Sequence, residues 1–408
     1  MDKITNALLG VLLGGLVALP AAAAEAGLAR RAAASSNAFG LDLYTELCGE
    51  PGNVFLSPAS IELALGMTAV GARGETVAQM VDVLELERLG NRRQAALGAL
   101  NRTLGADRAG VELSLANALW GQRGEPFKKP FLTALRQRYG AGLRRLDFRA
   151  AAEAARRTIN AWVAEKTRQK IRDLLQPGDV DADTRLVLTN AIYFKGEWRV
   201  QFDPERTTEQ RFRLGAGKSV TVPMMRVSAR FAYAERDGLQ LLELPYRGGE
   251  LGMVVALPAA ADGLAAVEDG LDRETLDGWL AALDGRPRQV RVVLPRFEIQ
   301  ARYQLARPLI ELGMRLAFGS GADFSGMSEL GGLYIAKVIH KTFIKVDEQG
   351  SEAAAATAVV MTRGIGAKPQ AQLFRADRPF LFLIRDRTSG AVLFLGRLAN
   401  PAAEASSR

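Results

Sequence analysis

Of the side chains that carry most protein chemistry, this 408-residue chain holds a single histidine, His340, and a single cysteine, Cys48. A relay of serine, imidazole and carboxylate needs a histidine as its general base. His340 sits in IAKVIHKTFIKV, where Val338, His340 and Thr342 alternate with Ile339, Lys341 and Phe343. That period of two places it in mid-strand, away from the loops where a base meets a substrate. No G-x-S-x-G elbow, H-E-x-x-H pair, P-loop or dinucleotide fingerprint occurs. Paired-carboxylate chemistry stays open, because such partners can lie far apart in sequence. One cysteine excludes an internal disulfide, and one Cys with one His is a poor ligand set for a structural metal. The expectation is a structural histidine, no enzymatic activity, no cofactor and no metal.

A second stretch invites a different chemistry. DEQGSEAAAATAVVMTRGIGAKPQ, Asp347 to Gln370, follows directly on the His340 strand. It lacks the charge and Ser/Pro content of a linker. It is also a poor helix, because Thr357, Val359 and Val360 interrupt the alanines. Arg363 is its only basic residue between Gly350 and Lys368.

The elements that must hold these stretches are legible as patterns. MDKITNALLGVLLGGLVALPAAAA has a charged start, a 13-residue apolar run from Ala7 to Leu19 and a small-residue tail. It reads as a secretory signal over residues 1–24, cut between Ala24 and Glu25 and too short to span a bilayer. The expected product is exported (extracellular, or periplasmic in a Gram-negative host), with no stable membrane anchoring. Net charge is +8, and basic residues are dense from Arg136 to Arg172, but Glu153, Glu165 and Asp173 interleave them. That pattern reads as a solvated helix face, with no nucleic-acid role.

Residues 25–400 read as a single α+β domain, because helical and strand periods mix throughout with no long linker. Ser57 is an N-cap with Pro58 at the first helical position. RGETVAQMVDVLEL turns Val77, Met80, Val81 and Leu84 to one face. RRTINAWVAEKTRQKIRDLL reads as one helix with Ile159, Trp162, Val163 and Ile171 on a stripe. TRLVLTNAIYFKGEW is a strand apolar on both faces, as in a covered sheet. GLQLLELPY, ELGMVVALP, QVRVVLPRFEIQ, PFLFLIRD and GAVLFLGRL are further strands, the last two joined through RTSG as a hairpin. Residues 401–408 read as a frayed tail.

NVFLSPASI, LTNAIYFKGEW, HKTFIKVDEQGSEAAAATAVVM and RADRPFLFLIRDRTSGAVLFLGRLANP, in this order, resemble the serpin family across nearly the whole chain. The resemblance implies three β-sheets, about eight or nine helices, a monomer, and an exposed reactive-centre loop at about residues 349–370. It implies inhibition of serine proteases by acyl-enzyme trapping, with the cut loop entering the central sheet as a new strand. Glu348, Gly350, Ser351, Ala353, Ala354, Ala355 and Ala356 match the hinge of inhibitory members. Trp198, Arg296 and Glu348 match the breach, where the loop enters the sheet. Ser57, Ser60, Asn190 and His340 match the shutter, a buried polar cluster where the central strands part. Gly350 is expected to supply backbone freedom at the hinge. The Arg296–Glu348 pair competes with a reading as a plain surface ion pair. His340 is expected to make opening pH-sensitive in the ordinary histidine range.

Strand geometry agrees with loop insertion. Ser351, Ala353, Ala355, Thr357, Val359 and Met361 fall on one face, small at its leading end and free of charge, while Glu352 falls on the other. The bond cut is Arg363–Gly364, fitting a trypsin-like pocket, or Gly364–Ile365 by the commoner family spacing. Met361 and Thr362 suit other pockets. A non-inhibitory binding or chaperone-like role is the competing class. Arg92, Arg93 and Arg102 mark a candidate polyanion site, such as for a glycosaminoglycan.

Overall fold

The structure is a computed structural model that describes residues 5–351, 371–403 and 406–407, with side chains from residue 22 to 403 within those spans. The expected hinge residues Ala353–Ala356 and the candidate cleavage residues Arg363, Gly364 and Ile365 lie outside the described residues.

The first half of the chain runs α1 (Thr5–Cys48), β1 (Val54–Leu56), α2 (Pro58–Ala69), α3 (Gly74–Val83), α4 (Arg93–Leu104), β2 (Val111–Gln122), α5 (Lys129–Tyr139), β3 (Leu143–Leu146), α6 (Phe148–Lys166) and β4 (Leu186–Glu197). The second runs β5 (Thr208–Gly215), β6 (Lys218–Arg236), β7 (Leu239–Pro245), β8 (Leu251–Pro258), α7 (Leu264–Asp269), α8 (Arg273–Ala282), β9 (Arg288–Pro295), β10 (Phe297–Gln304), α9 (Ala306–Glu311), β11 (Lys337–Val346) and β12 (Gly350–Ser351). After the loop come β13 (Gln372–Arg375), β14 (Phe380–Asp386), β15 (Val392–Leu398) and β16 (Ser406–Ser407). The class is α+β, with nine α-helices among the described residues.

The strands form two hydrogen-bonded networks. Seven strands run in the order β16-β10-β11-β12-β4-β2-β3, and nine in the order β1-β15-β14-β8-β7-β6-β9-β13 with β5 paired to β6. The three expected sheets merge into two networks because the 19-residue β6 serves both halves of the second. Its first part pairs β5 and β9, and its last residues pair β7.

Both faces of the seven-stranded sheet are covered. Leu188, Ile192, Phe194 and Val338 join the main core. Ala191, Tyr193, Ile339 and Phe343 join a second core built with Ile159 and Val163 of α6. This is why β4 is buried along nearly its whole length, as its two-sided apolar pattern predicts.

Three expected elements differ. The helix read through Ile171 stops at Lys166, and Arg168 and Gln169 take positive φ. Thr167 closes that turn by donating to Val163 O and accepting from Ile171 N, so Ile171 reaches the core from a loop. QVRVVLPRFEIQ is two strands, and the chain crosses from one network to the other at Arg296. The end of the presumed frayed tail, Ser406–Ser407, pairs with Ala301 and Arg302 of β10. Beside β11, the outer edge of β10 offers unpaired backbone groups that recruit an extended segment.

Candidate functional site

The site begins with a parallel pair of strands. β11 and β4 are hydrogen-bonded from Lys337–Val187 to Phe343–Tyr193. Above that point they separate, and β12 stands between them, antiparallel to both. Ser351 pairs with Val346 on one side and with Gly196 on the other, and Gly350 pairs with Glu197.

The turn that delivers β12 is built by Asp347. Its carboxylate accepts from the backbone N–H of Gln349 at 3.0 Å, and its own N–H donates to Gly350 O at 2.9 Å. A side chain that bonds its own backbone two residues on is a favoured turn builder.

Gly350 is required here for a reason other than the expected one. A β-carbon on it would lie 1.9 Å from Gly196 O and 2.8 Å from Glu197 Cα. Close approach of two backbones selects glycine at this position; its φ is not in the left-handed region. Ser351 is 0% exposed and shares a 2.7 Å hydrogen bond with the Tyr246 hydroxyl. Burial holds that phenol well above its usual pKa despite the bond to Ser351.

Trp198 lies under this turn. Its ring stacks on Tyr246 at 4.6 Å and 12°, and Nε1 donates to Asp347 O at 3.0 Å. Its backbone N–H donates to Gln349 O at 2.9 Å. Arg296, placed by the crossover between networks, donates to Glu348 Oε1 at 2.6 Å, and Thr207 donates to the same oxygen at 2.6 Å. The Glu348 side chain is 7% exposed and that of Arg296 44%, so this is a half-buried pair and not a plain surface one. Burial pushes the Glu348 carboxyl up, but the bonds from Arg296 and Thr207 outweigh it and hold the pKa below the usual range. Trp198, Arg296 and Glu348 thus meet, with Tyr246, Thr207 and Asp347 as partners that sequence reading missed.

Lower in the sheet a polar row crosses four strands. In register, Tyr303 of β10 faces His340 of β11, His340 faces Asn190 of β4, and Asn190 faces Asn117 of β2. The Ser57 N–H donates to His340 Nε2 at 3.1 Å, and His340 Nδ1 meets Asn190 Oδ1. Asn190 Nδ2 donates to Ser60 O and Ser60 Oγ, both at 2.7 Å, and to Asn117 Oδ1 at 2.5 Å. Asn117 returns a bond to Ser60 O at 3.2 Å. Ser57 caps α2, with its Oγ accepting from the Ser60 N–H. All four expected residues meet, and Asn117 completes them. Its signal in the sequence was an amide inside the alternating run LSLANALW.

Burial alone lowers the His340 pKa from 6.5 to about 3. In the closed fold the ring therefore stays neutral across the ordinary histidine range, and any pH dependence of opening must come from the opened form. A proton is taken up near neutrality only by a form in which the row has opened to water.

Among the described residues no group of three or more His, Cys, Asp or Glu is placed to hold a metal ion. Nor is any described helix long and apolar enough to cross a membrane.

Comparison with known proteins accords with this arrangement. A family model described as Serpin (serine protease inhibitor) matches residues 34–401. The chain is 42% identical to the leukocyte elastase inhibitor of Bos taurus over 376 residues, which is 90% of this chain and 99% of that protein. It is 40% identical to an uncharacterised serpin-like protein of Thermococcus kodakarensis, over 90% of this chain and 84% of the other. The crystal structure of uncleaved ovalbumin superposes with a TM-score of 0.83 at 33% identity, covering 90% of this chain and 99% of that one. The chain belongs to the serpin family.

Proposed function

We propose that this chain is a suicide-substrate inhibitor of serine endopeptidases and that residues 349–370 are its bait. A protease serine attacks a loop carbonyl, the peptide bond breaks, and the departing amine takes the proton. The acylated end of the loop then enters between β11 and β4 and carries the protease with it before water completes hydrolysis. Glu348, Gly350, Ser351, Ala353, Ala354, Ala355 and Ala356 act as hinge, Trp198 and the Arg296–Glu348 pair hold the entry point, and Ser57, Ser60, Asn190 and His340 hold the strands closed.

The observation that carries this reading is the seat of β12 between two parallel strands. An antiparallel strand continuing downward would replace one parallel ladder, Lys337–Phe343 on Val187–Tyr193, with two antiparallel ones. Antiparallel pairing is the more stable per residue, and the number of ladders doubles. Ser351 already points inward onto Tyr246. Strand alternation then sets Ala353, Ala355, Thr357, Val359 and Met361 on that inward face in the inserted state.

Arg363 supports a trypsin-like target, since a guanidinium pairs bidentately with an acid at the base of such a pocket. A second reading rests on the bovine relative, whose name specifies elastase. A small pocket of that kind suits Gly364 and cleavage before Ile365. One experiment decides both points. The protein is mixed with trypsin or with elastase, resolved on a denaturing gel, and the released C-terminal peptide is weighed. A stable complex with a peptide beginning at Gly364 supports the first reading, and one beginning at Ile365 supports the second. Clean cleavage by both proteases without complex rejects inhibition and leaves a non-inhibitory binding role. Residues 1–24 support export; an exported protein whose first residue is not close to Glu25 would reject that cut.

A further inference from the structure

The outer face of the β5-β6-β9-β13 region carries a cleft of about 510 Å³ into which Arg206, Arg226, Arg291 and Arg375 converge. Register explains the convergence. Arg226 of β6 faces Val293 of β9, which faces Arg375 of β13; one step along, Ser228 faces Arg291, which faces Leu373. Three arginines from three adjacent strands therefore share one face. With strands about 4.8 Å apart, Arg226 and Arg375 stand about 10 Å from each other at the backbone.

Their counter-charges sit at the rim. Arg206 pairs with Asp203 and Arg375 with Asp377. Arg226 and Arg291 are exposed and form no ion pair among the described residues; Arg226 makes only a 3.4 Å contact to Thr208 Oγ1. The floor is apolar, supplied by Val293 and Leu373, and Leu373 is 44% exposed. Converging guanidiniums over an apolar floor repel one another until an anion comes between them. Guanidinium forks match phosphate and sulfate oxygens bidentately, and a cleft of this size holds a single small molecule.

We propose that this cleft binds a ring-sized organic polyanion bearing phosphate or sulfate esters, bridging β6, β9 and β13 through Arg226, Arg291 and Arg375. The site adjoins the entry point of the loop, because Arg206 and Thr208 flank the Thr207 that bonds Glu348, but it does not depend on inhibition. Because the ligand ties three strands of the native fold together, it stabilises the folded chain by mass action.

The test is calorimetric titration of the full chain with inositol hexakisphosphate and with sucrose octasulfate, in 0.15 M salt, where diffuse attraction beyond about 8 Å is screened. Binding of the first alone assigns phosphate esters, of the second alone sulfate esters, and of both, either group. The double variant Arg226→Ala/Arg291→Ala should weaken binding at least tenfold and abolish the ligand-induced rise in melting temperature. Both side chains are exposed, so its unliganded melting temperature should match that of the unaltered chain. Arg307→Ala/Arg315→Ala, an exposed pair outside the cleft, should bind as the unaltered chain does. Absence of binding by both probes, full binding by the cleft variant, or equal weakening by the two double variants would overturn the proposal.

Discussion

The backbone N–H of Ser57 donates to Nε2 of His340 at 3.1 Å, which leaves the imidazole proton on Nδ1, against Asn190 Oδ1. One neutral tautomer thereby links α2 to the two strands that must part. Protonating Nε2 would break the bond to Ser57 as well as charge a fully buried ring, so burial and geometry act in the same direction.

Stability should therefore fall in acid through His340. The folded pKa is about 3 and the ordinary value 6.5, so below pH 6.5 the unfolded chain binds the extra proton. The loss grows by up to about 1.4 kcal/mol per pH unit between those values. Glu62 works the other way: burial raises its carboxyl pKa well above 4.5, so its contribution is lost as pH rises past 4.5. Urea midpoints of the unaltered chain and of His340→Gln, compared from pH 7 to pH 5, isolate the histidine. Parallel curves would contradict the assignment. With one histidine in the chain, its ring resonance should also stay on the neutral side down to pH 4.

Gly350→Ala should unseat β12. The added carbon meets backbone on Gly196, which cannot move aside as a side chain can. Overpacking of this kind costs roughly 1–3 kcal/mol. The Trp198 environment should change with it, because Gln349 and Asp347 carbonyls are its partners. Melting temperature and tryptophan fluorescence report the two effects, and an unchanged spectrum would speak against the packing argument.

Arg296→Ala should destabilise by about 1 kcal/mol, the modest size reflecting a guanidinium that remains 44% exposed. The Glu348 pKa is depressed, so this contribution is present above the usual carboxylate value of 4.5 and is lost as pH falls below it. Denaturation of single and double variants with Glu348→Gln at pH 7 and pH 4 measures the coupling, which should shrink at the lower pH.

Ala355→Arg should convert inhibitor to substrate. By alternation from Ser351 it enters the inward face on insertion, where an unpaired charge costs several kcal/mol. Cleavage should persist while the yield of gel-stable complex drops more than tenfold, each factor of ten corresponding to about 1.4 kcal/mol. The unaltered chain, once nicked in the loop, should melt at a higher temperature than intact chain; equal melting would argue that no strand is added.

Much of this was legible in the residues themselves. Burial of β4 on both faces, the Ser57 cap, the β14–β15 hairpin and the family membership all follow from local periodicity and from motifs read in order. Those features depend on neighbours a few residues apart. What the chain could not declare was which distant groups meet. Arg296 reaches Glu348 because the chain changes sheets at that residue, although its flanking pattern reads as one unbroken strand. Asn117 joins His340 and Asn190 only through strand register, and Gly350 is held to glycine by the backbone of Gly196, 154 positions earlier. Periodicity records which face a side chain takes; pairing and close approach are set by topology, and topology exists only once the whole chain has folded.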